Sequence, residues 1–211
     1  MNKYLAAVIL GIVVSLGGCA KDGNQVIDLP AYRPPSDGTA EASFRERLGE
    51  TSITVFPTVV RDSQGSSYSQ ASRATVAEFL VTNQLASATE SDDQVDLSAS
   101  AGPTQHDLFK QNMALFAQYL EANPVTTEYA LLVECLVTPT RSSREAVGGI
   151  QCYILDGKGR NAFSFLMNSH HRLFNEANLK VEKTGNEARE ALIDRSTRVV
   201  LESLRRQLPP E

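Results

Sequence analysis

Apolar positions in this 211-residue chain follow three different rhythms. The first is an unbroken run: Tyr4 to Leu16 holds only apolar, Gly and Ser residues and follows the positive Lys3. Such a run has the length of a secretory h-region and is too short to cross a bilayer as a stable helix. The second rhythm is that of strands. Ser52 to Val60 is dominated by β-branched and aromatic residues, and Pro57 within it removes one ladder donor. A strand there must carry a bulge, lie at an edge or end early. A Gly/Ser turn at Gln64–Ser67 follows. The third rhythm is helical. Ala74, Ala77, Val81 and Leu85 predict a helix over Gln70–Ala88. Phe109, Met113, Phe116 and Leu120 predict another, opened by Thr104 with Asp107 as an approximate capping box and stopped by Asn123-Pro124. Between these helices, Thr89–Pro103 is acidic and Ser-rich and reads as a surface loop.

Alternation returns in Glu128–Val137, Gly149–Asp156 and Arg160–Met167, three further strands. Leu131, Val133, Cys135 and Val137 share one face, as do Ile150, Cys152 and Ile154, and Phe163, Phe165 and Met167. A hairpin centred near Ser143/Arg144 sets Cys135 opposite Cys152 and Val133 opposite Ile154, and Asp156-Gly157-Lys158-Gly159 is a hairpin turn. A one-residue slip would scatter the apolar set over both faces, so burial favours this register. The other face carries Leu132, Leu136, Tyr153, Leu155 and Leu166, broken by Glu134 and Gln151. It is too apolar to stay wet and needs either helices on both sides or a docked partner. A last helix over Asn186–Leu208 carries Ile193, Val200 and Leu204 at helical spacing. These elements predict one α/β (α+β) domain over residues 49–211. It would have two layers: a mostly antiparallel sheet of about four strands, packed by about three helices.

Charge and chemistry narrow the function. Twenty Lys and Arg against 25 Asp and Glu leave a net charge of −5, so nucleic-acid binding has no electrostatic support. Three cysteines without a paired CxxC argue against a zinc ribbon or a thioredoxin-type site. No nucleophile elbow or phosphate loop is present, and Gly157-Lys158-Gly159 is a turn. No cofactor is implied. Asn168-Ser169-His170-His171 is a polar cluster at a strand end, where a ligand or partner contact could form. Adjacent histidines diverge, which makes a shared metal a poor reading, and no catalytic residue stands out. Glu134, beside Tyr153 on the neighbouring strand, reads as a hydrogen-bonded structural carboxylate. In the register above, Cys135 and Cys152 either bridge or pack as buried thiols.

The apolar leader ends in Leu16-Gly17-Gly18-Cys19, which resembles the lipobox of bacterial lipoproteins. That resemblance implies removal of residues 1–18, diacylglyceryl attachment to Cys19 and membrane anchoring through the lipid. Ala20, rather than Asp, then implies the periplasmic face of the outer membrane. Residues 19–48 contain Pro30, Pro34, Pro35, Gly23 and Gly38 and read as a lipidated flexible tether. The domain is similar to a group of bacterial envelope domains: the N-terminal domain of the TolB translocation protein, the curli-secretion lipoprotein, and the lipoprotein activators of penicillin-binding proteins. The likeness rests on Ile53-Thr54-Val55-Phe56-Pro57, Glu128-Tyr129-Ala130-Leu131-Leu132 and Tyr153-Ile154-Leu155-Asp156-Gly157-Lys158-Gly159. It implies a non-catalytic periplasmic adaptor or accessory protein with an envelope protein as partner. The alternative is a ligand-binding or hydrolytic lipoprotein using residues 168–171.

Overall fold

The strand expected over Ser52–Val60 is cut at Phe56–Pro57 into β1 (Ser52–Val55) and β2 (Thr58–Asp62). This computed structural model describes residues 32–100, 104–139, 145–168, 171–177, 179 and 186–207. Both strands lie parallel to the long β5 (Tyr129–Pro139), β1 against its first half and β2 against its second. Phe56 N–H still reaches the Leu131 carbonyl (3.0 Å), so the break costs the ladder one donor. β3 (Gly65–Ser69) returns antiparallel on β2, and β4 (Ser87–Glu90) lies parallel to β1. On the other side of β5, β6 (Glu145–Asp156) and β7 (Asn161–Asn168) continue antiparallel. The α+β class holds, but the counts differ from expectation. Among the described residues there are seven strands and five helices, and three of the six ladders are parallel. The additional strands, β3 and β4, are short, Ser-rich edge strands without an alternating apolar pattern.

Helices cover both faces, so the domain has three layers rather than two. On one face Leu131, Val133, Ile150, Ile154, Phe163 and Phe165 lie under α1 (Gly38–Glu46), α2 (Gln70–Thr82) and α5 (Asn186–Gln207), which contribute Phe44, Val76, Leu80, Leu192 and Leu204. On the other, Leu132, Tyr153, Leu155 and Leu166 lie under α3 (Gln105–Ala122), through Phe109, Phe116 and Leu120. Thr104 caps α3 as the sequence implied, its side chain accepting from Asp107 N–H (3.2 Å). The acidic stretch after β4 is not merely a surface loop: Val95 and Leu97 are buried in this second core.

The β5–β6 register is two residues away from the one burial favoured. Cys135 faces Ile150 and Cys152 faces Val133, with a bulge between Leu136 and Val137. Parity, and therefore the division of side chains between faces, is unchanged by a two-residue shift. The cysteines are consequently not directly opposed, and both are free and buried. The β6–β7 turn forms as expected. There Gly159 takes φ +74°, and a Cβ at that position would lie 3.1 Å from that of Ala117 on α3.

The proposed tether needs a second correction. Residues 32–48 fold onto the domain instead of leading up to it. Asp37 caps α1 through the amides of Thr39 and Ala40, and Phe44 is buried edge-on against Tyr129 with its ring also near Phe163. Ahead of α1, Tyr32 exchanges both backbone hydrogen bonds with Leu166 (2.8 Å each), and Asp37 N–H reaches the Asn161 carbonyl (3.3 Å). Residues 32–37 therefore strap the outer edge of β7 antiparallel to it. Pro34 and Pro35 lack the N–H groups a regular strand would offer. Arg33 lies over the Phe163 ring at 4.3 Å and pairs with Glu41 at 2.7 Å. Burial raises the Glu41 carboxyl, but hydrogen bonds from Ser36, Arg33 and Arg45 outweigh it and hold the pKa at about 2.

Candidate functional site

The residues singled out in the sequence do not assemble into one site. Cys19, Ser169 and His170 lie outside the described residues. Asn168 ends β7 opposite Gly149, and His171 follows at the start of α4 (Arg172–Ala177). His171 Nδ1 accepts from Leu173 N–H at 3.3 Å, and the His171 carbonyl accepts from Phe174 N–H. The imidazole thus serves as a cap for a short helix. Among the described residues, no group of three His, Cys, Asp or Glu is placed to hold a metal.

Cys135 and Cys152 sit on the same face of β5 and β6, fully covered. Burial pushes the Cys135 thiol up to about 12, with the Glu134 charge adding to the rise, and burial raises Cys152 as well. Thiolate is the reactive form, so these are inert packing groups. Both are expected to escape a thiol reagent in the native state and to titrate as two free thiols after guanidine unfolding. Detection of none under non-reducing conditions would mean they are bridged.

The principal polar constellation lies on the opposite face, between the sheet and α3. Glu134 on β5 is completely buried. Arg61 Nε from the end of β2 meets its Oε1 at 2.8 Å, and Asn112 Nδ2 from α3 meets its Oε2 at 2.6 Å. Tyr153 Oη lies 3.4 Å from Glu134 Oε2 and hydrogen-bonds Gln151 Oε1. Arg61 also donates to the Leu97 carbonyl at 2.8 Å and the Ser100 carbonyl at 3.4 Å, which ties the acidic stretch to the network. Gln151 Nε2 is buried with no partner.

Burial drives the Glu134 carboxyl above its ordinary range, while Arg61, Asn112 and Tyr153 pull it back. Burial likewise takes the Tyr153 hydroxyl well above its usual value. The expectation that Glu134 is a hydrogen-bonded carboxylate beside Tyr153 matches this geometry. Arg61 and Asn112 were not picked out. Asn112 could have been, since it is a polar residue between Phe109 and Phe116 on the buried stripe of α3. Chemically the group is sealed: a carboxylate with no exposed atom meets no substrate, and its partners are the surrounding elements. The network pins β2, β5, β6 and α3 to one another.

Two grooves lined by described residues lie elsewhere, on either side of α5. One groove of about 400 Å³ runs between α4 and α5 and is lined by Leu173, Ala177, Val199, Arg195, Arg198 and Arg206, with Glu202. A second, of about 540 Å³, lies between α2 and α5 with Phe79 and Leu201 in its wall. Arg198 pairs with Asp194 at 3.0 Å and Arg206 with Glu202 at 2.8 Å. In the wall of the second groove, Thr75 Oγ1 donates to Asp194 Oδ1 at 3.1 Å.

No protein-family model matches the chain, and no curated protein matches it. Among solved structures it has a slight likeness to a chain of the PelC dodecamer from Paraburkholderia phytofirmans. That likeness amounts to 11% identity over 78% of this chain and 91% of that one, at a TM-score of 0.36, too little for anything to be transferred from it.

Proposed function

We propose that this protein is a non-catalytic lipoprotein of the bacterial cell envelope. It is anchored through Cys19, most simply to the periplasmic face of the outer membrane, and acts as an adaptor or accessory protein through contacts with an envelope protein. The observation that carries the reading is Leu16-Gly17-Gly18-Cys19 at the end of a thirteen-residue run of apolar, Gly and Ser residues, Tyr4 to Leu16, headed by Lys3. Two or three acyl chains, at about 0.8 kcal/mol per buried methylene, hold a protein on a membrane where one chain does so only marginally. Kinship with the TolB N-terminal, curli-secretion and synthase-activator group belongs to the same proposal. The domain's chemistry is in keeping with an adaptor: the carboxylate of its polar network is closed to solvent, and its grooves carry arginines and apolar side chains.

Cys19→Ser tests this directly. In a two-membrane bacterium the native chain is expected in the outer-membrane fraction, with a mature N-terminus whose mass includes acyl chains. The variant should leave that fraction and keep its leader, because lipidation precedes cleavage in lipoproteins. An unmodified thiol at position 19 of the native chain would overturn the reading. The alternative use of residues 168–171 is tested by His170→Ala with His171→Ala. Full rescue of a deletion strain by that variant removes it.

A further inference from the structure

The strap at the edge of β7 fixes the position of Tyr32, the first of the described residues. Tyr32 is fixed there by its two backbone bonds to Leu166, with its ring against His106 (centroids 4.3 Å) and edge-on to Phe109 (6.1 Å). Only residues 20–31 separate it from Cys19. Twelve residues span at most about 43 Å however they are arranged. A domain of this size has a radius of gyration near 16 Å and is roughly 40 Å across. The path around the domain is roughly 60 Å, longer than that limit, and the average coil of twelve residues spans only roughly 19 Å, which holds the exit edge closer to the anchor than the opposite edge.

We infer that the domain presents its β7–α1 edge to the lipid surface and turns its β4–α2 edge away from it. The inference rests on the lipoprotein reading of Cys19 and adds an orientation to it. Across the sheet the order β7, β6, β5, β1, β4 separates the two edges by four strand spacings, about 19 Å. The outward side of α1 suits a close approach to headgroups over most of its length: Gly38, Thr39, Ala42 and Ser43 are exposed and uncharged, and the exposed charge within the helix, Glu46, is its last residue. Beside them, Arg33 and Arg45 both pair with Glu41, two cations on one carboxylate. The groove between α2 and α5 lies on the α2 side, turned away from the lipid, and so stays open to a protein partner.

The chain offers a clean labelling scheme. In this reading Cys19 is acylated, and Cys135 and Cys152 are buried, so one introduced surface cysteine is the only reactive thiol. Thr39→Cys on α1 marks the near edge and Val81→Cys on α2, where Val81 is 56% exposed, marks the far one. Each full-length lipidated variant carries an environment-sensitive fluorophore. It is reconstituted into phosphatidylethanolamine/phosphatidylglycerol vesicles containing a lipid with a nitroxide on its headgroup. The Thr39 label is expected to be quenched at least twofold more than the Val81 label, and Ser43→Cys should repeat the near-edge value. Equal quenching at both edges, or stronger quenching at Val81, overturns the orientation. Flotation with the vesicles and the mass of the N-terminal fragment separate the two failures. A chain that floats with its acyl chains but quenches evenly refutes only the orientation. A chain without acyl chains refutes the anchor and the orientation together.

Discussion

Arg61→Ala is expected to cost about 3–5 kcal/mol of folding stability at pH 7.5, because it strands a completely buried carboxylate without its cation. The loss should depend on pH in a defined sense. Burial already raises the folded-state pKa of Glu134 above 4.5, the ordinary value for the residue, and Arg61 heads the groups that restrain the rise. A group whose folded pKa is raised favours folding below its unfolded pKa, and that contribution disappears as pH climbs through the folded value. Without Arg61 the folded value moves higher still. The variant should therefore approach the wild type near pH 4.5, where the carboxyl can be protonated, and fall progressively behind it towards pH 8. Urea midpoints at the two pH values decide the matter. A loss of the same size at both would show that Arg61 acts through packing and its bonds to the Leu97 and Ser100 carbonyls, not through the buried charge. Glu134→Gln, which keeps an acceptor for Arg61, should lose less and show a flatter pH dependence.

Phe44→Ala should cost a further order-of-magnitude similar amount, about 3–5 kcal/mol, by opening a cavity between α1 and the sheet. Phe44 is 1% exposed and packs against Tyr129 and Phe163, and nothing else in α1 can collapse into that space except Ala40. For a domain of this length such a loss lowers Tm on the order of 10 °C. The same reasoning distinguishes two domain boundaries. A chain beginning at Tyr32 should melt like the full domain, whereas one beginning at Gly49 lacks α1, the strap and the Arg33–Glu41 pair and should melt well below it. Equal melting temperatures for the two shortened chains would show that α1 is an ornament on a core that starts at β1.

Long apolar periodicities translated into structure almost unchanged. The stripe Phe109, Phe116, Leu120 became the buried face of α3, and the alternating Phe163, Phe165, Met167 became the inner face of β7. Each was readable because burial imposes a period on the side chains that experience it. The segments that escaped notice are those in which burial imposes none. β4 offers Ser-Ala-Thr-Glu at the edge of the sheet, and α1 has one large apolar residue, Phe44, within a stretch of small and charged ones. The prolines and glycines around α1 marked a tether by composition, yet Pro34 and Pro35 lie in a strap held chiefly at its two ends.

The polar network shows a second kind of limit. Glu134 and Gln151 were visible as interruptions in an apolar face, and local pairing was enough to put Glu134 near Tyr153. Its cation comes from Arg61, 73 positions earlier, and its amide donor from Asn112 on α3. Periodicity within one segment carries no information about which distant segment will cover it.

What the linear chain determined alone was therefore the α+β class, the face each core residue takes and the caps and turns at Thr104 and Asp156–Gly159, because all of these depend on neighbours a few residues away. The tertiary structure decided the two-residue register that keeps Cys135 and Cys152 from facing each other, the coverage of both sheet faces, the partners of Glu134, and the packing of residues 32–48 onto the domain. Side-chain parity survives a shift of two residues and so leaves the register open. The rest depends on contacts between segments dozens of residues apart, whose free energy exists only once the layers have closed around them.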